Sequence, residues 1–107
     1  MARATIDPVA LLDKIERGEA PAILDVRSPD EFAAGRVPGA VNVPFTSVLG
    51  NSTGVHPQKS ETLVVYCGHG PRAWLAGAAF RLRGYTRITY LRGHMAAWRR
   101  AGLREER

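Results

Sequence analysis

Cysteine is almost absent from this sequence, since Cys67 is the only one among 107 residues. A single cysteine excludes an internal disulfide and a cysteine-rich zinc site. No group of histidine, aspartate and glutamate residues has the spacing of metal ligands, so we expect no metal. Composition alone would place Cys67 in the core as a small hydrophobe, and only its local context can favour a reactive thiol.

Long apolar runs are missing as well. No window approaches the roughly 18 apolar residues that span a bilayer. The first five residues lead into Asp7 and Pro8 rather than an apolar stretch, unlike a signal peptide. These absences predict a cytoplasmic protein with no membrane partner. The 107 residues, 45% hydrophobic and 23% charged, are typical of a single domain covering 1–107.

Charge is unevenly distributed. Residues 1–53 carry five basic and seven acidic side chains, whereas residues 54–107 carry ten basic and three acidic ones, mostly arginine. An excess of arginine suits an anionic substrate or nucleic acid, but it also occurs on ordinary solvated helix faces. No basic motif is interleaved with aromatic residues, so we expect no nucleic-acid partner.

Strand and helix patterns alternate along the chain. Apolar runs predict a buried strand at 22–26 and a central parallel strand at 62–66, covered on both faces. Helices are predicted to begin at Asp7, as an N-cap, and at Ser28, which with Glu31 forms a capping box. Further strands are predicted at 41–43 and 87–91, and further helices at 71–83 and 95–101. The pattern indicates an α/β fold with a small parallel sheet of four to five strands and helices on both faces.

Three finer expectations concern surfaces and loops. Helix 71–83 is expected to bury a face containing Leu75, Ala78, Ala79 and Leu82. Residues 50–61 read as a polar loop without secondary structure. The charged tail, 103–107, is expected to fray.

Cys67 lies between the predicted central strand and the helix that begins at about Pro71. Ligands of parallel α/β sheets bind beyond the carboxyl ends of the strands. Unpaired N–H groups and the dipole at a helix N-terminus stabilise a thiolate. Gly68 and Gly70 allow successive N–H groups to converge on one anion, and Arg72 adds a planar donor suited to oxyanions. The loop therefore favours a catalytic nucleophile over a mere strand-to-helix connection, with His69 as a further donor or a solvent-facing side chain.

Three ordered motifs resemble those of the rhodanese-like sulfurtransferases in their single-domain form. The first comprises DVRSPDEF at 25–32 and GRVPGAVNVP at 35–44. The second is YCGHGPR at 66–72, which is similar to the active loop C-x-x-G-x-R of the family. The third is LRGHMAAW at 91–98, close to the family pattern L-x-G-G-x-x-A-W.

The resemblance implies a rhodanese fold and a two-step sulfur transfer that needs no cofactor. Cys67 would take the outer sulfur of thiosulfate or a persulfide donor and pass it to cyanide, a thiol or a protein acceptor. The loop of Gly68, His69, Gly70, Pro71 and Arg72 would hold the anionic donor and the persulfide.

Two other functions remain as alternatives. The first is a persulfide carrier that relays sulfur between proteins and turns over free thiosulfate poorly. The second is a phosphatase or arsenate reductase, but those enzymes use the longer loop C-x5-R. Here Arg72 gives C-x4-R, and Ala73 follows it.

Several positions depart from the family pattern or surround the loop. Ala73 replaces a residue that is often serine or threonine, and His94 replaces the second glycine of L-x-G-G. Trp74, Arg92 and His94 are expected at the rim of the pocket, where Arg92 and His94 are candidates for selecting the substrate. Asp25, Arg27 and Glu31 are expected to support the structure, with an ion pair between Arg27 and Glu31.

Overall fold

Five parallel strands form the centre of the computed structural model, which describes residues 3–50 and 58–107. The strand order is β1-β5-β4-β2-β3. The elements in chain order are β1 (Thr5–Ile6), α1 (Pro8–Glu16), β2 (Ala22–Asp25), α2 (Pro29–Ala34), β3 (Val41–Asn42), α3 (Phe45–Leu49), β4 (Leu63–Tyr66), α4 (Pro71–Leu82), β5 (Ile88–Leu91) and α5 (His94–Arg100). This architecture confirms the predicted α/β class and the number of strands.

Strand β4 is central and buried along its whole length. Its side chains alternate between two apolar clusters, as the pleat of a strand requires. Val65, followed by Cys67, packs with buried residues of α3 and α4. Val64 and Tyr66 pack on the other face with buried residues of α1 and α5. The continuous apolar run at this strand therefore correctly predicted a strand covered on both faces.

The helix that begins after Ser28 has the predicted capping box. The Ser28 hydroxyl accepts the Glu31 N–H at 3.3 Å, and Glu31 Oε1 accepts the Ser28 N–H at 3.1 Å. The predicted start of α1 is confirmed. Asp7 is its N-cap residue, but its carboxylate makes no capping hydrogen bond and instead accepts one from Arg92 Nη1 at 2.9 Å.

The predicted apolar face of α4 was wrong except at Ala79, which is buried. Leu75 and Leu82 are 53% and 90% exposed, whereas the buried face contains Ala73, Ala76 and Phe80. Small residues cover the sheet here because α4 approaches it closely. A Cβ added at Gly77 would overlap the Tyr90 hydroxyl on β5.

The shortest elements and the chain terminus depart from the sequence expectations. Strand β1 and helix α3, which have two and five residues, were not predicted. Of the predicted polar loop, residues 51–57 lie outside the described part of the chain. The tail does not fray: the backbones of Arg36 and Glu106 exchange two hydrogen bonds of 2.9 Å each.

The parallel sheet gathers three connections at one edge. Strands β2 and β4 end in register, with Asp25 opposite Tyr66, and β5 pairs with β4 on its other side. The segments that follow β2, β4 and β5 therefore meet beyond the carboxyl edge, where ligands bind in such folds. Among residues 3–50 and 58–107, no helix combines the length and the hydropathy that a membrane-spanning helix requires.

Candidate active site

Cys67 directly follows β4 and lies beneath the N-terminus of α4. The residue is only 1% exposed, and its Sγ accepts the backbone N–H of Gly70 at 2.9 Å. Gly70 adopts φ +135°, and a Cβ there would lie 2.7 Å from a ring carbon of Trp74. Glycine is thus required at position 70 if this N–H is to point at the sulfur.

The first turn of α5 fixes the peptide groups on both sides of Gly68. The N–H of Met95 donates to the Cys67 carbonyl at 3.0 Å, and the N–H of Ala96 donates to the Gly68 carbonyl at 3.2 Å. In a planar trans peptide the N–H points opposite to the C=O. The N–H groups of Gly68 and His69 therefore point away from α5, and neither donates a hydrogen bond within the described residues. Both are free to donate to a ligand.

Arg72 is held by a carboxylate from the neighbouring connection. Its Nη1 and Nη2 donate to the two Glu31 carboxylate oxygens at 2.6 and 3.0 Å. This hydrogen bonding lowers the pKa of Glu31 to about 2, against a smaller opposing effect of burial. The predicted ion pair between Arg27 and Glu31 is wrong, because Glu31 pairs with the arginine of the loop.

A buried polar network lies beside the loop. The Asp25 carboxylate accepts hydrogen bonds from Arg27, including one from its backbone N–H at 2.9 Å and one from its side-chain Nη2 at 2.7 Å. It accepts another from the Tyr66 hydroxyl at 2.7 Å. The Tyr66 hydroxyl also accepts the Val37 N–H at 3.1 Å. Burial, together with the Asp25 charge, raises the pKa of Tyr66 above its ordinary value, so the phenol stays protonated. Asp25 and Arg27 thus stabilise the turn that carries Glu31.

Sequence reasoning did not identify Tyr66 as part of this network. Tyrosine in a strand reads as an ordinary β-forming residue. Its position directly before Cys67 gave no sign that its hydroxyl reaches Asp25 across the sheet.

An open groove borders the loop on the side of β1 and β5. This rim groove has a volume of about 330 Å³ and is lined by residues that include Arg3, His69, Trp74, Arg92 and His94. Trp74 is 39% exposed, and the Arg3 guanidinium carbon lies 4.5 Å from the centre of its ring. The structure therefore brings Trp74, Arg92 and His94 together at one groove beside the loop.

The side chains of the groove differ in their freedom to meet a ligand. Arg92 donates to Asp7 at 2.9 Å and to the Thr5 hydroxyl at 2.9 Å, so its charge is partly neutralised. His69 is exposed. His94 is 4% exposed, and its Nδ1 accepts the Cys67 N–H at 3.2 Å.

Two further positions beside Cys67, Pro71 and Ala73, supply no side-chain hydrogen-bond donor. Pro71 begins α4 and has no N–H, so it shapes the loop without serving as a donor. Ala73 is fully buried in the cluster that contains Cys67.

Comparison with known proteins gives a consistent family relationship. The rhodanese-like domain family matches residues 7–101. A sulfurtransferase of Allochromatium vinosum is 33% identical over 98 residues, which cover 92% of this chain and 90% of that protein. Several other curated relatives are longer, and the chain spans about a quarter to a half of their length.

Solved structures agree with the sequence comparison. The crystal structure of the Alr3790 protein from Anabaena sp. matches with a TM-score of 0.82 at 27% identity, covering 94% of this chain and 90% of that one. The human single-domain sulfurtransferase TSTD1 matches with a TM-score of 0.77 at 26% identity, covering 92% of this chain and 97% of that one.

Proposed function

Since the chain belongs to the rhodanese-like domain family of sulfurtransferases, we propose that it moves a sulfane sulfur from thiosulfate or a persulfide donor to a thiol-type acceptor through a persulfide on Cys67. The observation that carries this proposal is the position of the Cys67 Sγ, which accepts the Gly70 N–H at 2.9 Å at the mouth of α4. A hydrogen bond to the charged form of a group favours that form. The contact therefore supports a thiolate nucleophile.

In the first step the Cys67 thiolate attacks the outer sulfur of the donor. With thiosulfate, a new S–S bond forms to Sγ, the S–S bond of the donor breaks, and sulfite leaves with the bonding electron pair. The outer sulfur of the resulting persulfide carries the negative charge. The N–H groups of Gly68 and His69 can donate to that charge, because they point away from α5 and have no acceptor within the described residues.

In the second step an acceptor thiolate, or cyanide in an assay, attacks the outer sulfur. The bond between the two sulfur atoms of the persulfide breaks, and its electron pair returns to Sγ as the thiolate. The cycle needs no cofactor, because the cysteine alone stores the sulfur.

The loading step can be tested by intact mass. The protein is incubated with thiosulfate, and we expect wild type to gain one sulfur atom while Cys67→Ala gains none. Reduction with dithiothreitol should remove the added mass. If thiosulfate, polysulfide and a persulfide donor all leave the wild-type mass unchanged, the proposed function is wrong.

A persulfide carrier is the second candidate, and the ion pair of Arg72 favours it. Both terminal nitrogens of that guanidinium already bind Glu31, which leaves Arg72 less able to hold a small free anion. A carrier would accept sulfur from a protein persulfide much faster than from thiosulfate. Comparing the two loading rates at equal donor concentration distinguishes the candidates.

The phosphatase or arsenate reductase alternative has less support, because the loop from Cys67 to Arg72 is one residue shorter than in those enzymes. Hydrolysis of a phosphate ester that Cys67→Ser abolishes would revive it. The cytoplasmic location, the single-domain organisation and the absence of a nucleic-acid partner stay predictions.

A further inference from the structure

His94 has a backbone conformation that a residue with a Cβ rarely adopts. Its φ is +57°, and among the described residues it is the only non-glycine with a positive φ. It follows Gly93, whose φ is +70°, so the turn contains two successive left-handed residues. Glycine would adopt this conformation without strain. A histidine that is 4% exposed and has this backbone conformation needs an interaction that offsets the backbone strain.

The compensating interaction is with the nucleophile itself. Nδ1 of His94 accepts the backbone N–H of Cys67 at 3.2 Å. The next two residues of α5, Met95 and Ala96, donate to the carbonyls of Cys67 and Gly68. Three consecutive residues at the start of α5 thus determine the orientation of the peptides around Cys67, and His94 is the only one that does so with its side chain.

This hydrogen bond also determines where the imidazole carries its proton. A ring nitrogen that accepts a hydrogen bond has no proton, so the neutral ring is protonated at Nε2. Burial, and to a lesser extent His69, lower the pKa of His94 to about 4, so the ring is neutral near pH 7.

The second ring nitrogen of His94, Nε2, is not enclosed by the protein. Nε2 has no acceptor among the described residues, and no unpartnered side-chain nitrogen in this part of the chain is fully buried. His94 lines the rim groove, so this groove is the space in which a ligand can accept a hydrogen bond from Nε2–H. The other titratable or charged side chains that line the groove are those of His69, Arg3 and Arg92. No negatively charged side chain of the described residues lines it.

We propose that His94 is a positioning residue with two roles: Nδ1 fixes the Cys67 peptide, and Nε2–H donates a hydrogen bond to an oxyanion of the sulfur donor or acceptor in the rim groove. A carboxylate on a small thiol is the simplest such ligand. The first role stands on the geometry alone. The second rests on the proposed sulfur transfer.

The first role is tested by NMR without any substrate. Long-range 15N–1H correlation at pH 7 should show His94 with its proton on Nε2, and the spectra of His56→Asn and His69→Asn identify the signal by elimination, since the chain has three histidines. Amide exchange of Cys67 should be slow in wild type and at least tenfold faster in His94→Gly, which relieves the backbone but removes the acceptor. His94→Asn should stay close to wild type, because asparagine tolerates positive φ and places an oxygen near the position of Nδ1.

Two results would overturn this role. One is a proton on Nδ1, and the other is equally slow exchange of the Cys67 amide in His94→Gly. Circular dichroism confirms that both variants are folded. If one variant does not fold, the position of the proton on the His94 ring in the wild-type protein still tests the first role.

The second role is tested by comparing two acceptors of similar size, 3-mercaptopropionate and the uncharged 2-mercaptoethanol. His94→Asn keeps an acceptor for Cys67 but lacks Nε2–H. We expect its KM for the carboxylated thiol to rise about tenfold more than its KM for the uncharged one, since one hydrogen bond to a charged group has about that effect. Equal changes for both thiols, together with an unchanged KM for thiosulfate as the donor, would refute the role.

A failure of the proposed sulfur transfer can be distinguished from a failure of the second role of His94. If no persulfide forms, the kinetic comparison is replaced by titration of Cys67→Ser with 3-mercaptopropionate, followed through the His94 Nε2 resonance. A saturable shift supports the oxyanion site even then. The absence of a shift up to about 50 mM thiol rejects it, because this concentration is far above the micromolar to millimolar range in which enzymes usually bind small substrates.

Discussion

Gly68 and Gly70 flank His69 in the loop, but their surroundings differ. Gly70 has φ +135° and packs against Trp74, while a Cβ at Gly68 would only meet the end of the Arg72 side chain at 3.4 Å. A positive φ with a non-glycine residue costs about 1–3 kcal/mol. At the scale of single residues, one glycine is therefore essential for the N–H contact to the Cys67 sulfur, and the other tolerates a methyl group.

This difference predicts unequal effects of two alanine substitutions. Gly70→Ala should lower the free energy of unfolding by about 2 kcal/mol or more. It should also slow alkylation of Cys67 by iodoacetamide, because the N–H at position 70 moves away from Sγ. Gly68→Ala is the matched control, and its loss of stability should stay below about 1 kcal/mol. Similar losses in urea denaturation for both variants would contradict the assigned geometry.

The ion pair between Glu31 and Arg72 predicts a pH dependence. The pKa of Glu31 is lowered from 4.5 to about 2, so its contribution to stability is complete above pH 4.5 and is lost as the pH falls towards 2. Glu31→Gln keeps an acceptor for the capping box but removes the charge. Because the pair is partly exposed, the variant should lose only about 0.5–1 kcal/mol at pH 7.

The pH series separates this pair from a general effect of negative charge. The stability difference between wild type and Glu31→Gln should shrink between pH 4.5 and pH 2. Asp30→Asn removes a carboxylate from the same turn of α2 and is the control, since Asp30 has no ion pair within the described residues. A constant difference for Glu31→Gln across the range would argue against the pair.

At the scale of elements, helix α4 shows why part of the fold could not be predicted. Its apolar residues occur on all sides, so periodicity alone did not identify the face that packs on the sheet. The buried side is defined by small residues, Ala73, Ala76 and Gly77, that allow close approach to β4 and β5. Hydrophobicity selected Leu75 and Leu82 instead, and both are exposed.

The assignment of the buried face of α4 predicts that a change of side-chain size matters on that face and has little effect on the exposed one. Ala76→Leu should destabilise the protein by about 1–3 kcal/mol, because Ala76 is fully buried and extra carbon atoms in a close-packed core force side chains and backbone to shift. Leu82→Ala should change the stability by less than about 0.5 kcal/mol, since Leu82 is 90% exposed. Thermal and urea unfolding measure both, and a larger loss in Leu82→Ala would show that the sequence-based face was right.

Other elements were predictable from local chemistry. The capping box of Ser28 and Glu31 and the continuous apolar run of β4 each depend on residues close in sequence, and both were found. The partners of Arg72, Tyr66 and His94 depend on how distant connections meet at the sheet edge. Spacing along the chain carries no information about such contacts. The candidate nucleophile was therefore accessible from sequence, whereas its electrostatic surroundings required the structure.

At the scale of the whole molecule, the Asp25 network joins segments that are far apart in sequence. The Tyr66 hydroxyl links the carboxylate at the end of β2 to the N–H of Val37, both buried. Removal of a buried hydrogen-bonding group leaves its partners unsatisfied, which costs about 1–3 kcal/mol. The network thus stabilises the sheet edge on which the candidate site is built.

Tyr66→Phe tests this role. The variant should lose about 1–3 kcal/mol of unfolding free energy and keep its fold, because the ring itself still fills the core. Tyr90→Phe is the control on the neighbouring strand, since the Tyr90 side chain makes no hydrogen bond within the described residues. Comparable stability of the two variants in urea would show that the hydroxyl of Tyr66 contributes nothing.

The central claim concerns one sulfur atom that is held on Cys67 and then released. Thiosulfate labelled in its outer sulfur is used to load the protein, excess donor is removed by desalting, and an acceptor thiol is added in a single turnover. We predict that mass spectrometry finds the label first on Cys67 and then on the acceptor, while the protein returns to its original mass. Label that stays on the protein, or that reaches the acceptor equally well with Cys67→Ala, would contradict the account.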